Sequence, residues 1–153
     1  MEVRRLRADG DAYRWEGVEV KQYRSTGDFF RGITKQLFFD DAHGLSCEFR
    51  YFEVEPGGFS SFERHDHVHA VLILRGSGRI LMTSEEGSRV HDVAEHDLIY
   101  ISGNTWHQLQ ADEEAYFGFI CLVENDRDGP VRPTAEEARS FRADPVIGKL
   151  IRL

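Results

Sequence analysis

Apolar and polar positions alternate along most of this chain with a period close to two, the period of a β-strand that buries one face. Runs rich in β-branched and aromatic residues predict strands over residues 18–24, 33–39, 45–54 and 59–65. Further runs predict strands over 69–75, 79–84, 88–93, 97–101, 106–110 and 115–123. Turn chemistry punctuates them at Pro56-Gly57-Gly58, Gly76-Ser77-Gly78, Glu85-Glu86-Gly87 and Ser102-Gly103-Asn104. The Gly76-Ser77-Gly78 segment reads as a hairpin turn. No helical period of any length precedes residue 130. Short strands in close succession predict an all-β antiparallel sandwich or barrel.

The pattern changes after a polar break at Asp126–Pro130. Thr134 and Glu137 have the spacing of a capping box, in which each side chain satisfies a free backbone N–H at the helix start. A short helix is expected over 135–142, and Val146, Ile147, Leu150 and Ile151 suggest a second apolar helical turn. Residues 1–125 are therefore assigned to a β-barrel that includes the N-terminal strands. Residues 126–153 are assigned to a helical tail packed on it.

Composition narrows the partners. The 153 residues carry 19 Lys and Arg against 27 Asp and Glu, a net charge of −8. That balance argues against a nucleic-acid or anionic-membrane surface. No apolar run approaches the ~20 residues of a membrane span, and the charged N-terminus lacks the apolar stretch of a secretory signal. Two Cys make no disulfide framework, so a reducing cytoplasm is the expected compartment. Cys47 and Cys121 are expected to be buried, reduced thiols without a basic neighbour to activate them.

The unusual feature is histidine. There are seven, with His65, His67 and His69 inside five residues, leading straight into the apolar strand Ala70–Leu74. Glu63 and His65 are two apart, so in a strand they share a face about 6.6 Å apart, within reach of one metal ion. His69 would lie about 20 Å from Glu63 in a straight strand. A shared site therefore needs the chain to turn at about Asp66–Val68. His107 must join from a distant strand. Imidazoles with a carboxylate are an ordinary ligand set for a divalent transition metal.

These residues resemble the cupin family. Its first motif, G-x5-H-x-H-x3-E-x6-G, is met in every spacing from Gly57 through Glu63, His65 and His69 to Gly76. The chemistry is permuted: Glu63 stands at the first His position and His69 at the Glu position. The second motif, G-x5-P-x-G-x2-H-x3-N, is met in spacing from His96 to His107, although His96, Ser102, Asn104 and Ala111 replace its other letters. The resemblance covers about residues 45–123. It implies a cupin-type double-stranded β-helix, a jelly-roll-like barrel, with the helical C-terminus added. It also implies one divalent metal (Fe, Mn, Ni, Co or Zn) held by Glu63, His65, His69 and His107. A second ligand reading stays open: His65, His67 and His69, with Glu63 only nearby.

The functions implied are a small-molecule metalloenzyme of dioxygenase type, a non-catalytic small-ligand binding or sensing module, and, third, a sugar isomerase or epimerase. A homodimer is expected by family habit. His43, His91 and His96 are expected to be solvated. Trp106 is expected to pack on the face opposite His107, and Tyr100 to be a packed aromatic. Phe49, Phe52, Phe117 and Phe119 are candidates to wall an apolar cavity.

Overall fold

Most stretches of alternating residues find a strand partner, and the pairings place one set of side chains inside a curled sheet. The structure, a computed structural model, describes residues 2–24 and 29–153. Its strands are β1 (Leu6–Asp9), β2 (Ala12–Trp15), β3 (Val20–Gln22), β4 (Arg31–Phe39), β5 (Cys47–Phe59) and β6 (His69–Arg75). They continue with β7 (Ser77–Ser84), β8 (Gly87–Ala94), β9 (Leu98–Ile101), β10 (Trp106–Ala111) and β11 (Phe117–Glu124), before helix α1 (Ala135–Ala143). Strands β3 to β11 form one nine-stranded sheet in the order β8-β7-β10-β5-β11-β6-β9, with β4 on β5 and β3 on β4. Its pairings are antiparallel. The sheet curls into a half-barrel because β5 serves both sides. Its first part lies between β4 and β11, and its last residue, Phe59, pairs with Gln110 of β10.

Two of the predicted turns do something else. Pro56-Gly57-Gly58 does not reverse the chain but lies inside β5. Arg31 of β4 faces Phe59 while Ile33 faces Val54, so the extra residues of β5 bulge out and bend the strand. Gly57 takes the left-handed conformation there (φ +66°), and its N–H reaches the Asp112 carbonyl at 2.8 Å. The strand expected over 59–65 is reduced to Phe59 and two isolated bridges, Glu63 to His107 and Arg64 to Val131.

Gly76-Ser77-Gly78 is likewise no hairpin. Strand β6 pairs with β9 and β11, and β7 pairs with β8 and β10, so this segment carries the chain across the half-barrel. Gly76 has φ +69°, and a Cβ on it would strike the Tyr116 carbonyl. Turn composition reports that the backbone bends sharply; only the tertiary pairing decides whether the next strand comes back beside the last. Glu85-Glu86 does join a hairpin, with Ser84 opposite Gly87.

The β1–β2 hairpin has no counterpart among the predicted strands, because β1 is exposed along its whole length and carries charge instead of alternation. Buried polar side chains of the sheet hold it. Glu53 accepts from the Tyr13 N–H at 2.7 Å, and Gln36 exchanges hydrogen bonds with Trp15 N–H and the Tyr13 carbonyl at 3.0 Å each.

Two apolar cores result. One fills the half-barrel and includes Ile33, Phe52, Val71, Ile73, Leu109 and Phe119. The other lies on the outer side, where Phe62, Leu81 and Trp106 meet Ile147 and Ile151 of the tail. Trp106 thus packs on the face opposite His107, as alternation requires, stacked on Phe62 with ring centroids 5.6 Å apart. Helix α1 starts with the expected capping box from Thr134 and Glu137. Gln108 receives the Arg152 N–H and donates to its carbonyl, locking the chain end to β10. Tyr100 corrects one expectation: it is 68% exposed on edge strand β9, not packed. No helix among the described residues is long and apolar enough to cross a membrane.

Ile147 is fully buried against the second core. Ile147→Ala is expected to cost about 2–5 kcal/mol in urea unfolding, from lost burial and the residual cavity. Leu98→Ala, at an exposed site, is expected to stay within about 0.5 kcal/mol.

Candidate metal centre

Glu63 and His107 are bound to each other through the backbone before their side chains do anything. The Glu63 N–H donates to the His107 carbonyl at 3.2 Å, and the His107 N–H donates to the Glu63 carbonyl at 2.9 Å. This reciprocal pair sets both side chains on one side of the antiparallel bridge. The chain then turns at Asp66–Val68, as a shared site required, and His69 opens β6 opposite Ile101. His69 thereby comes back over His65, their rings nearly parallel with centroids 4.3 Å apart. His107 meets both rings edge-on, at 4.9 and 5.3 Å.

One nitrogen from each of His65, His69 and His107 lies within 4.8 Å of the others. The hydrogen bonds select which nitrogen faces inward. His65 Nδ1 donates to the His67 carbonyl at 3.0 Å, and His107 Nδ1 donates to the Thr105 carbonyl at 2.9 Å. Each Nε2 keeps its lone pair. The His65 Nε2 is buried with no hydrogen-bond partner. An unpartnered buried nitrogen is costly, and a cation held between the three rings satisfies it. Burial, reinforced by the neighbouring imidazoles, pushes His65 down to about 4 and His69 well below the ordinary range. Burial lowers His107 too. All three rings are neutral near pH 7, the state that ligates metal.

Glu63 is buried beside this group but outside it. Its Oε2 accepts from Arg24 and from the Ser61 hydroxyl, and its Oε1 accepts from Tyr23 at 3.3 Å. Burial and the Glu63 charge push the Tyr23 hydroxyl up to about 12. His67 stacks on His65 with centroids 3.7 Å apart, and its Nε2 stands 3.2 Å from that of His69. Its Nδ1 is bonded to Asp128 at 2.6 Å, a contact that holds the Asp128 carboxyl down at about 2. His43, His91 and His96 are exposed.

The cluster forms part of the lining of a cavity of about 200 Å³. Phe52 and Phe119 wall it, stacked 5.2 Å apart, whereas Phe49 packs on Phe38 and Phe117 lies in the core. Cys121 also lines it, and here the structure corrects the sequence reading. Arg50 Nη2 stands 3.2 Å from the Cys121 sulfur, and His69 Nδ1 3.4 Å. Burial raises the thiol, and the Arg50 charge opposes that. The basic neighbour was invisible in sequence because Arg50 lies across a strand pair, opposite Cys121 on β5. Cys47 is half-buried near the start of β5.

Known proteins resemble this chain over most of its length. A family model described as a cupin domain matches residues 50–123. The chain is 41% identical over 140 residues to the 1-methylthio-D-xylulose 5-phosphate methylsulfurylase of Rhodospirillum rubrum, covering 91% of this chain and 86% of that protein. A cupin 2 conserved barrel domain protein from Rhodopseudomonas palustris superposes with a TM-score of 0.87 at 42% identity, over 99% of this chain and 100% of that one. A cupin-2 domain structure from Rhodospirillum rubrum gives a TM-score of 0.80 at 41% identity, over 91% and 90%.

Elemental analysis of purified protein is expected to show one divalent transition metal, lost in His69→Ala and His107→Ala. His67→Ala should keep most of it; loss in His67→Ala with retention in His69→Ala would reverse the ligand assignment. The neutral imidazoles also set a pH dependence. Unfolded histidine titrates near 6.5 and folded His65 near 4, so below 6.5 the unfolded chain binds the extra proton. Metal-free protein is therefore expected to lose stability as pH falls from about 6.5 to about 4, measured by urea midpoints across that range.

Proposed function

This chain belongs to the cupin family, and from that premise we propose that it is a metal-dependent enzyme that removes a methylsulfanyl group from a methylthio ketose phosphate. The observation that carries this reading is the pairing of two reactive elements in one small cavity. Three neutral imidazoles converge on a point, and the Cys121 thiol touches one of them. The 41% identity to a methylsulfurylase supplies the substrate class.

The chemistry follows from the groups present. In a 1-methylthio-2-ketose the thioether sulfur sits on the carbon next to the ketone. Attack by the Cys121 sulfur on that thioether sulfur forms an S–S bond and breaks the C1–S bond. The electron pair passes to C1, conjugated with the ketone oxygen, and the proton given up by the thiol ends on C1. The sulfur atoms are oxidised, C1 is reduced, and the products are a 1-deoxy ketose phosphate and a methyl disulfide on Cys121. A low-molecular-weight thiol then attacks that disulfide, leaves with the methylsulfanyl group and restores the free Cys121.

His65, His69 and His107 would hold the metal, with Glu63 as a fourth ligand through Oε1, the less heavily hydrogen-bonded oxygen. A divalent cation there would supply Lewis-acid polarisation of the ketone oxygen. With Nε2 so committed, His69 would carry its proton on Nδ1 and offer that N–H as a hydrogen-bond donor to the Cys121 sulfur. Arg50 donates to the same sulfur from the other side, so the thiolate has two partners against the cost of burial. Phe52 and Phe119 exclude water from the carbon end.

The test is to supply metal-loaded protein with a 1-methylthio ketose phosphate and to read products and intact protein mass. Without added thiol, one methylsulfanyl adduct is expected on Cys121; with thiol, turnover to the deoxy sugar phosphate. Cys121→Ser should abolish both and Cys47→Ser neither. Full activity in Cys121→Ser would remove the thiol from the mechanism. Oxygen uptake with an enol or phenolic substrate, without methylsulfanyl transfer, would return the site to dioxygenase chemistry.

A further inference from the structure

The chain is acidic, with a net charge of −8, yet the cavity collects cations on the wall away from the Glu63 end of the histidine group. Lys35 on β4, Arg50 on β5 and Arg127 just after β11 all line it. The two arginines share one carboxylate. Glu48 Oε2 accepts from Arg127 at 2.7 Å and lies 3.5 Å from Arg50 Nη1. Lys35 forms no ion pair among the described residues. The carboxylates that line the cavity are committed elsewhere, Glu63 to Arg24 and Asp128 to His67. Arg50 is 8% exposed, and its Nε is buried without a hydrogen-bond partner. A buried guanidinium with an unused donor, next to an unpaired ammonium, is a built site for an anion. Burial and the Arg50 charge both depress Lys35, which places the two cations in one field.

We propose that Lys35, Arg50 and Arg127 form the subsite for a phosphate monoester and so set the direction in which a sugar phosphate enters the cavity. The assignment deepens the methylsulfanyl-transfer reading and rests on it for the rest of the substrate. Arg50 explains the spacing. One arm of its guanidinium faces the Cys121 sulfur and the other faces Glu48, which Arg127 also binds. The reacting sulfur and the phosphate therefore sit at opposite edges of a single side chain, with the sugar carbons between phosphate and metal. A phosphate at C5 anchors there while C1 and C2 lie at Cys121 and the histidines. Glu48 occupies the arginines when the subsite is empty and competes with the phosphate for them.

Isothermal titration of metal-loaded protein with D-xylulose 5-phosphate, D-xylulose and inorganic phosphate tests this. The phosphate ester should bind at least about tenfold more tightly than the free sugar, and more weakly as salt rises. Lys35→Gln and Arg127→Gln should each weaken the ester about tenfold, leaving affinity for D-xylulose and metal content unchanged. Glu48→Gln should tighten ester and inorganic phosphate binding, a gain that a misfolded variant cannot mimic. Unchanged ester affinity in Lys35→Gln and Arg127→Gln would overturn the subsite. So would phosphate binding that disappears on metal removal and ignores Glu48→Gln, since the anion would then sit on the metal. The two proposals fail separately. Ester binding through this wall without methylsulfanyl transfer sinks the reaction and keeps the subsite. Methylsulfanyl transfer with an unchanged KM in Lys35→Gln does the reverse.

Discussion

The reciprocal backbone pair between Glu63 and His107 is the contact on which the site depends. It joins the segment leaving β5 to β10, continuing the contacts that Phe59 makes with Gln110 and Ser60 makes with Leu109. Because it is made by backbone groups, it fixes the two positions whatever their side chains do. His65 is then two residues from Glu63, and the turn at Asp66–Val68 returns His69 over it. Loosening that bridge would separate His107 from the other rings, and three neutral imidazoles have no attraction of their own to restore it.

Burial does the chemical preparation. The same desolvation that makes a charged imidazole unfavourable keeps all three rings neutral, and in His65 and His107 the Nδ1–H bond to a carbonyl leaves the lone pair on Nε2. It raises the Cys121 thiol, and the Arg50 charge beside that sulfur opposes the rise. Carboxylates are sorted accordingly. Glu63 is neutralised by Arg24 at the histidine end, and Glu48 sits between two arginines at the other. An acidic molecule can therefore carry a cationic pocket, because net charge averages over the surface and the cavity reads only the side chains that face it.

Much of this architecture was legible in the chain. Strand β6 lies where alternation put it, and Thr134 and Glu137 cap α1 as their spacing required. His65, His69 and His107 converge, and Trp106 and His107 take opposite faces. Other features were hidden for identifiable reasons. Strand β1 is a charged, exposed edge paired with β2, which Gln36 and Glu53 of the other sheet hold through Trp15 and Tyr13, so nothing local marks it. Tyr100 alternates like a core residue but lies on an edge strand whose outer face nothing covers among the described residues.

The sequence by itself determined the strand period, the helix cap and the His65–His69 cluster, because each depends on neighbours a few positions apart, whereas the convergence of His107 on that cluster depends on the sheet pairing. Tertiary structure alone decided what the turns at Pro56-Gly57-Gly58 and Gly76-Ser77-Gly78 accomplish, since a sharp bend is compatible with a bulge, a crossover or a hairpin. It also decided the company of Cys121 and Glu63. Arg50 is 71 residues from Cys121, and Arg24 is 39 from Glu63. Sheet pairing and chain return bring such groups within a hydrogen bond of each other, and charge at that range sets chemistry that no local pattern contains.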